Sequence, residues 1–195
     1  VSGEHITPII DEAKRRNLYL HPRAIASLTV GDGSAAYILG PTEEEGRIKF
    51  SEPFTLAQHN RLCIGQACKN HRGPQMRTKA KDLQNGVLDN LGIFLQRSIK
   101  KMGIEWDQID HTYSHPTTPK AVKKGAKIAT DVLGEINFLH NDSAETANTA
   151  STTHGVLLEI SHENKYFNSD ETVFMVSFGS GLAIIAIHFN LQIPI

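Results

Sequence analysis

The stretch "NDSAETANTASTTHGVLLEI", residues 141–160, decides how this chain is read. Asn148 sits in a run of Ala, Thr and Ser that turns directly into an apolar helix. Small residues at a helix entry let something else come close, and an amide side chain there can donate or accept a hydrogen bond. The stretch is therefore a site candidate. Its plain alternative is a helix cap, because Asn, Ser and Thr are the usual capping residues.

Outward from this stretch the chain alternates strand and helix. Upstream lies "INFLH" (136–140), a short strand, and before it the helix "TPKAVKKGAKIATDVLG" (118–134), with Pro119 in its first turn and Gly134 as terminator. "IDHTYSHP" (109–116) is a short strand over 109–113 that delivers His115 to its C-terminal end. "KDLQNGVLDNLGIFLQRSIKKMGI" (81–104) has apolar residues at Leu83, Val87, Leu88, Leu91, Phe94, Leu95 and Ile99, the three-four spacing of an amphipathic helix. Arg97, Lys100 and Lys101 carry the sign favoured at its C-terminus, and Gly103 stops it. Further back, "AIASLTVGDGSAAYIL" (24–39) predicts a strand through the core with a tight interior turn at Gly31–Gly33, and "GRIKFSEPF" (46–54) a short strand. Residues 55–74 are polar without a clear period and predict a long surface loop. Downstream, "ETVFMVSFGSGLAIIAIHF" predicts two apolar strands, 171–178 and 182–189, joined by Gly-Ser-Gly. The order implies an α/β fold, a mixed sheet with helices packed on it, in which ligands collect at the C-terminal ends of strands. His115, the Asn148 entry and the 179–181 turn all lie at such ends.

Composition limits the functions open to such a fold. With 195 residues, 39% hydrophobic and 21% charged, the chain is long enough for one well-buried core and too short for two large ones. A formal net charge of -1 points to neither nucleic acid nor a membrane as the main partner. There is no long apolar run and no charged-then-apolar leader, so neither a membrane span nor a signal peptide is expected, and a cytoplasmic address follows as the default. Cys63 and Cys68 do not make a disulfide framework, in keeping with a reducing compartment. The opening "VSG" reads as a strand already in progress, as expected of a cleavage point or of the second piece of a longer product.

Four segments in order, "VGDGSAAYIL", "YSHPTTPKAVKKGAKI", "ETANTASTTHGVLLEI" and "VFMVSFGSGLAIIAIHF", resemble the C-terminal half of the ketoacyl-ACP synthase III type of condensing enzyme, of the thiolase fold. The resemblance spans nearly the whole chain, 1–195 forming one C-terminal thiolase-like domain. It implies a mixed five-stranded sheet with helices on both faces. In that family the strand-end His lies in a His-Gln-Ala-Asn segment, the Asn in Gly-Asn-Thr-Ser, and the last turn is Phe-Gly-Gly-Gly. This chain has "HPTT" from His115, "ANTA" around Asn148 and "FGSG" ending at Gly181.

What the resemblance implies is a decarboxylating Claisen condensation. An active-site Cys takes up an acyl group as a thioester, a malonyl thioester loses carbon dioxide, and the enolate attacks the acyl carbonyl. Donors are needed where charge develops on the thioester oxygen. His115 and Asn148 match the family's donors, each worth roughly 3 kcal/mol when preorganised. The turn Gly179, Ser180 and Gly181 matches the oxyanion-hole loop, whose backbone N–H survives Gly-to-Ser replacement where the dihedrals allow it. Ala147, Thr149, Ala150 and Ser151 leave room for a pantetheine arm or acyl chain, and Ala147, Thr149 and Thr118 are the substrate-binding candidates. No cofactor is implied, the substrates being acyl-CoA or acyl-carrier-protein thioesters.

The departures bear on the reaction. Pro116, Thr117 and Thr118 stand where the family has Gln, Ala and Asn, and Ala147 replaces a Gly. The family's nucleophilic Cys belongs to an N-terminal half, at a helix start whose dipole favours the thiolate, and that half is absent from this chain. The implied partners are this N-terminal half, as a separate chain or cleaved segment, a carrier protein or coenzyme A thioester, and a dimer of such pairs. Cys63 and Cys68 lie where the resemblance puts no nucleophile. "CIGQACKNH" spaces Cys63, Cys68 and His71 within reach of a metal, but no second ligand pair follows and no metal site is expected.

Other residues have plain readings. His5, His21, His59, His71, His111, His140, His154 and His162 are scattered and read as structural or surface. Asp32 in "GDG" reads as a turn former. Lys120, Lys123, Lys124 and Lys127 form a basic helix face, either solvated or suited to an acidic carrier protein. Besides the condensing enzyme, a noncatalytic partner subunit shaping the acyl tunnel and an acyltransferase on the same scaffold remain open.

Overall fold

The computed structural model describes residues 1–17, 23–41, 43, 47–67, 74–115, 118–140 and 146–191. In chain order the elements are β1 (Ser2–Glu4), α1 (Thr7–Arg15), β2 (Gly33–Ala35), β3 (Ile48–Phe50), β4 (Phe54–Thr55), β5 (Cys63–Ala67) and β6 (Pro74–Thr78). They continue with α2 (Ala80–Met102), β7 (His111–Ser114), α3 (Pro119–Leu133), β8 (Leu139–His140), α4 (Thr153–Glu163), β9 (Thr172–Gly179) and β10 (Ala183–Asn190).

The apolar run near the C-terminal end builds the centre. β9 and β10 form an antiparallel hairpin, from Ala183 opposite Gly179 to Asn190 opposite Thr172. β7 adds in parallel to the free edge of β9, and β8 in parallel to β7. The sheet order is β3-β10-β9-β7-β8, with β4 also on β10, making six strands. The expected five-stranded sheet is thus short by one. The extra strand is β4, two residues just past Pro53 whose Phe54 pairs Ile184, too short to register as a period.

β9 is covered on both faces, which is why it reads as a continuous apolar run. Phe174 and Val176 pack with Leu91, Phe94, Leu95 and Met102 of α2 and Ala129 of α3. Val173 and Met175 point the other way, against Tyr113 and Leu157 of α4. Helices therefore lie on both faces, as expected. Each large apolar side chain removed from water here stabilises the fold by about 1.5–3 kcal/mol. α2 ends at Gly103 in the left-handed region (φ 60) after Lys100 and Lys101. α3 starts at Pro119 behind Thr118, whose side chain accepts a hydrogen bond from the Ala121 N–H.

Two further expectations are corrected. Residues 24–39 do not run through the sheet. They give a 3-10 turn (Ile25–Leu28), a bridge from Val30 to Asn148, and β2, which pairs with β1. The reason is close approach: a Cβ on Gly33 would lie 2.5 Å from Thr152 Oγ1 and 2.9 Å from Thr149 Cβ, so glycine lets this segment lie against the entry of α4. Tyr37, Ile38 and Leu39 beyond it face solvent in this chain. Residues 55–74, read as a loop, contain β4's second residue, a 3-10 turn (Ala57–His59) and β5, which forms a hairpin with β6. β5 is partly or fully exposed at every position, so no buried face imposes an alternating pattern on it. Among the described residues no helix is long and apolar enough to cross a membrane.

Candidate active site

His115 is the residue after β7. Its backbone N–H donates to the Val176 carbonyl at 2.9 Å, continuing the β7–β9 ladder one residue beyond Ser114 and fixing where the ring starts. The side chain is buried beneath Phe178, whose ring stands edge-on at 6.3 Å. His154, in the first turn of α4, brings a second imidazole to 6.1 Å. The Val176 backbone also acts on its ring, favouring the protonated form. Nδ1 of His115 and Nε2 of His154 are both buried without a hydrogen-bond partner. Burial, and secondarily the neighbouring His154, lowers His115 to about 4; burial also lowers His154 to about 4. Both rings are neutral at physiological pH, able to donate one N–H each rather than to carry charge.

Asn148 is held by its backbone. Its N–H donates to Thr29 and its carbonyl accepts from Gly31, both at 3.0 Å. The side-chain Oδ1 accepts from the Ala150 N–H at 2.9 Å, which leaves Nδ2 as the remaining side-chain donor. Asn148 is the N-cap of neither the 3-10 turn Ala150–Thr152, which is Thr149, nor α4, which is Thr152; its amide oxygen closes a local turn onto the Ala150 N–H, and the amide nitrogen is the donor left over. Flanking it, Ala147 (φ 57) and Ala150 (φ 51) adopt left-handed backbone that costs alanine of order 1–3 kcal/mol each, a strain that collects at functional sites.

The other candidates divide. Thr149 is buried, its hydroxyl directed at Thr153 Oγ1 at 3.3 Å, and it packs beneath Gly33. Thr118 caps α3. Gly179, Ser180 and Gly181 join β9 to β10, with Gly181 at φ 124; Gly179 and Ser180 are exposed. Pro116 and Thr117 lie outside the described residues. Cys63 is a free thiol in the β5–β6 hairpin, its Sγ 3.3 Å from Thr78 Oγ1. Cys68 and His71 lie outside the described residues, and among those described no cluster is arranged to hold a metal. Lys127 of the basic face pairs with Asp131 at 3.0 Å. Asp32 is more than a turn former: it accepts from the backbone N–H of Ile6 and Thr7 and from the Thr7 hydroxyl, so it caps α1 across the chain. Those Thr7 bonds lead the causes that lower it to about 2.

The start of β7 carries a second imidazole pair. His111 Nε2 lies 2.8 Å from Glu171, and its Nδ1 is 3.0 Å from His140 Nε2. His140 Nδ1 is 3.0 Å from Ser161 Oγ, and Tyr113 stacks on the His140 ring at 4.0 Å. Every ring nitrogen of this pair has a partner.

His154 is the functional candidate that a scattered-histidine reading misses. The signal is its spacing: His154, Leu157 and Ser161 recur on the face of α4 that turns inward.

No protein-family model matches the chain, and no curated protein matches it in sequence. Solved structures do match in fold. OleA from Xanthomonas campestris superposes with a TM-score of 0.79 at 17% identity, covering 96% of this chain and 55% of that one. A structure of the same protein with bound lauric acid and lauroyl-CoA gives 0.77 at 16%, covering 96% and 56%. The 3-oxoacyl-(acyl carrier protein) synthase III, FabH, of Pseudomonas aeruginosa gives 0.65 at 15%, covering 80% and 48%. The fold is thus thiolase-like, and the chain spans about half the length of these structures.

Proposed function

We propose that this chain is the C-terminal half of a ketosynthase III-like enzyme that condenses acyl thioesters by decarboxylative Claisen chemistry. The observation that carries the reading is His115: a buried, neutral imidazole without a partner at Nδ1, placed at the C-terminal end of a central strand. A neutral ring suits the task, since the oxygen of a thioester enolate is stabilised by an N–H donor and needs no full proton. Asn148 Nδ2 is the second donor. As the malonyl thioester loses carbon dioxide, the electron pair of the broken C–C bond moves into the enolate, and the two N–H groups take up the charge growing on its oxygen. The carbanion carbon then attacks the acyl carbonyl on a Cys of the N-terminal half, and the backbone N–H groups of the 179–181 turn serve that second oxyanion. The exposure of Gly179 and Ser180 fits a surface that the other half covers.

Substrates of the fatty acyl class, delivered on coenzyme A or a carrier protein, are in keeping with the lauroyl-CoA bound to OleA. The basic face Lys120, Lys123, Lys124 and Lys127 suits an acidic carrier protein. A dimer of paired halves working in the cytoplasm completes the proposal.

Native mass spectrometry of the intact protein, followed by the denaturing mass of each component, tests the pairing. A second chain or segment bearing an acylatable Cys is expected; a partner half without Cys would turn the reading to a noncatalytic subunit. In the assembled protein, His115→Ala and Asn148→Ala should each slow malonyl-thioester decarboxylation by about 10²–10³-fold and leave acyl loading of the Cys intact. Normal decarboxylation in both variants ends the proposal.

A further inference from the structure

We propose that His154 is a positioning residue that holds His115 in the tautomer donating from Nε2, through one shared hydrogen-bond donor placed between His115 Nδ1 and His154 Nε2. The catalytic consequence rests on His115 being the enolate donor described above; the pairing itself rests on geometry.

The Val176 carbonyl is the common anchor. It accepts from the His115 backbone N–H and, as a backbone acceptor, favours a proton on the His154 ring. Because His154 Nε2 is buried without a partner, the nitrogen that Val176 favours as N–H is Nδ1, and in a neutral imidazole the other nitrogen then carries a lone pair. His154 Nε2 is thus a buried acceptor. For His115 to donate from Nε2, its own Nδ1 must also be a lone pair, and that atom is buried and unpartnered too. Two adjacent rings therefore each present a buried acceptor. An unmet buried acceptor costs about 1–3 kcal/mol, so the pair favours a common donor.

Spacing excludes a direct bond. In the His111–His140 pair the ring centroids are 5.2 Å apart and the nitrogens meet at 3.0 Å. The His115 and His154 centroids are 6.1 Å apart, and their nitrogens do not meet. A group with two O–H or N–H bonds bridges such a gap, water being the smallest. No other titratable side chain on β7, β9 or α4 contributes to the state of either ring: burial and His154 act on His115, burial and the Val176 backbone on His154. If His154 were apolar, the bridging donor would lose one of its two acceptors, and His115 would be free to move its proton to Nδ1.

Histidine-selective 15N labelling of the intact protein, read by two-bond 15N–1H correlations near neutral pH, reports each tautomer directly. The wild type should show His115 protonated on Nε2 and His154 on Nδ1. In His154→Leu, His115 should become a tautomer mixture, with kcat for malonyl decarboxylation lowered at least about tenfold and KM little changed. In His154→Gln, whose carbonyl restores an acceptor, the single tautomer and most of kcat should return. A wild-type His115 carrying its proton on Nδ1, or a His154→Leu variant with an unaltered single tautomer, overturns the inference. Should His154→Leu not fold, the wild-type spectrum and His154→Gln still decide it. Wild-type protein with the expected tautomers but no decarboxylation defeats the proposed function and leaves the pairing standing.

Discussion

The two ends of β7 carry buried histidines and treat them in opposite ways. At the start, His111 and His140 are linked to each other, to Glu171 and to Ser161, and no ring nitrogen is left over. Just past the end, His115 and His154 each keep a buried nitrogen without a partner. The His115 ring is as buried as those at the start and His154 is half-buried; what separates the two ends is satisfaction. Natural cores leave few polar groups unpaired, which is why the proposed binding site is put at this pair. His188 on β10 also has an unpartnered Nδ1, but it lies opposite Lys49 on β3, away from the strand ends where ligands collect.

The contrast can be broken first with pH. His115 and His154 are lowered to about 4 from an unfolded value near 6.5, so between these values the unfolded chain binds protons that the folded chain refuses. Stability is therefore full above about pH 6.5 and falls as pH drops toward 4, by roughly 3 kcal/mol for each ring across the window. His140, lowered to about 3 by burial and then by His111, adds to the loss in the same window. Glu171, held down to about 2 by Asn168 and then His111, acts only in the window below the usual carboxylate value. Urea unfolding of the intact protein at stepped pH measures the slope, and a His115→Leu/His154→Leu double variant should make it shallower between pH 6.5 and 4, leaving the part that His140 contributes. An unchanged slope in that variant would erase the difference between the two ends.

Next in size is the satisfied end. His140→Ala empties a buried site and strands His111 Nδ1, so it should cost about 3 kcal/mol in denaturant unfolding. Activity per folded molecule should stay within about twofold, since the proposed reaction takes no donor to the thioester oxygen from this cluster. A large loss of activity without a loss of stability would move the chemistry to the wrong end of β7.

A smaller effect sharpens the frame around Asn148. Gly33→Ala puts a methyl against Thr152 and Thr149 and should destabilise by about 2 kcal/mol, while raising KM more than it lowers kcat as the α4 entry shifts. Wild-type stability in this variant would mean that β2 does not set the position of the entry.

Much of this was legible beforehand, for local reasons. α2 was placed by its own apolar spacing and by Gly103, and α3 by Pro119 and Gly134, because helix signals lie within a turn or two of the residues they govern. That His115 follows a strand and Asn148 precedes a helical turn was readable from the signals around them. His154 was not separated from other histidines, although its helical spacing with Leu157 carried the clue. Residues 24–39 misled because Val, Ile and Ala in a row read as a buried strand, whereas the apolar tail at Tyr37, Ile38 and Leu39 lies on the surface of this chain.

By itself the sequence determined the alternation of strands and helices, where α2 and α3 stop, and which strands form the apolar centre. These follow from patterns repeating every two or about 3.6 residues. Only the tertiary structure decided that β4 joins the sheet, that Asp32 caps α1, and that one histidine pair is satisfied while the other is not. Those outcomes depend on partners far apart in sequence, as Glu171 is from His111 and His154 from His115. Whether a buried nitrogen finds a partner is a property of the packed molecule, and no local period records it.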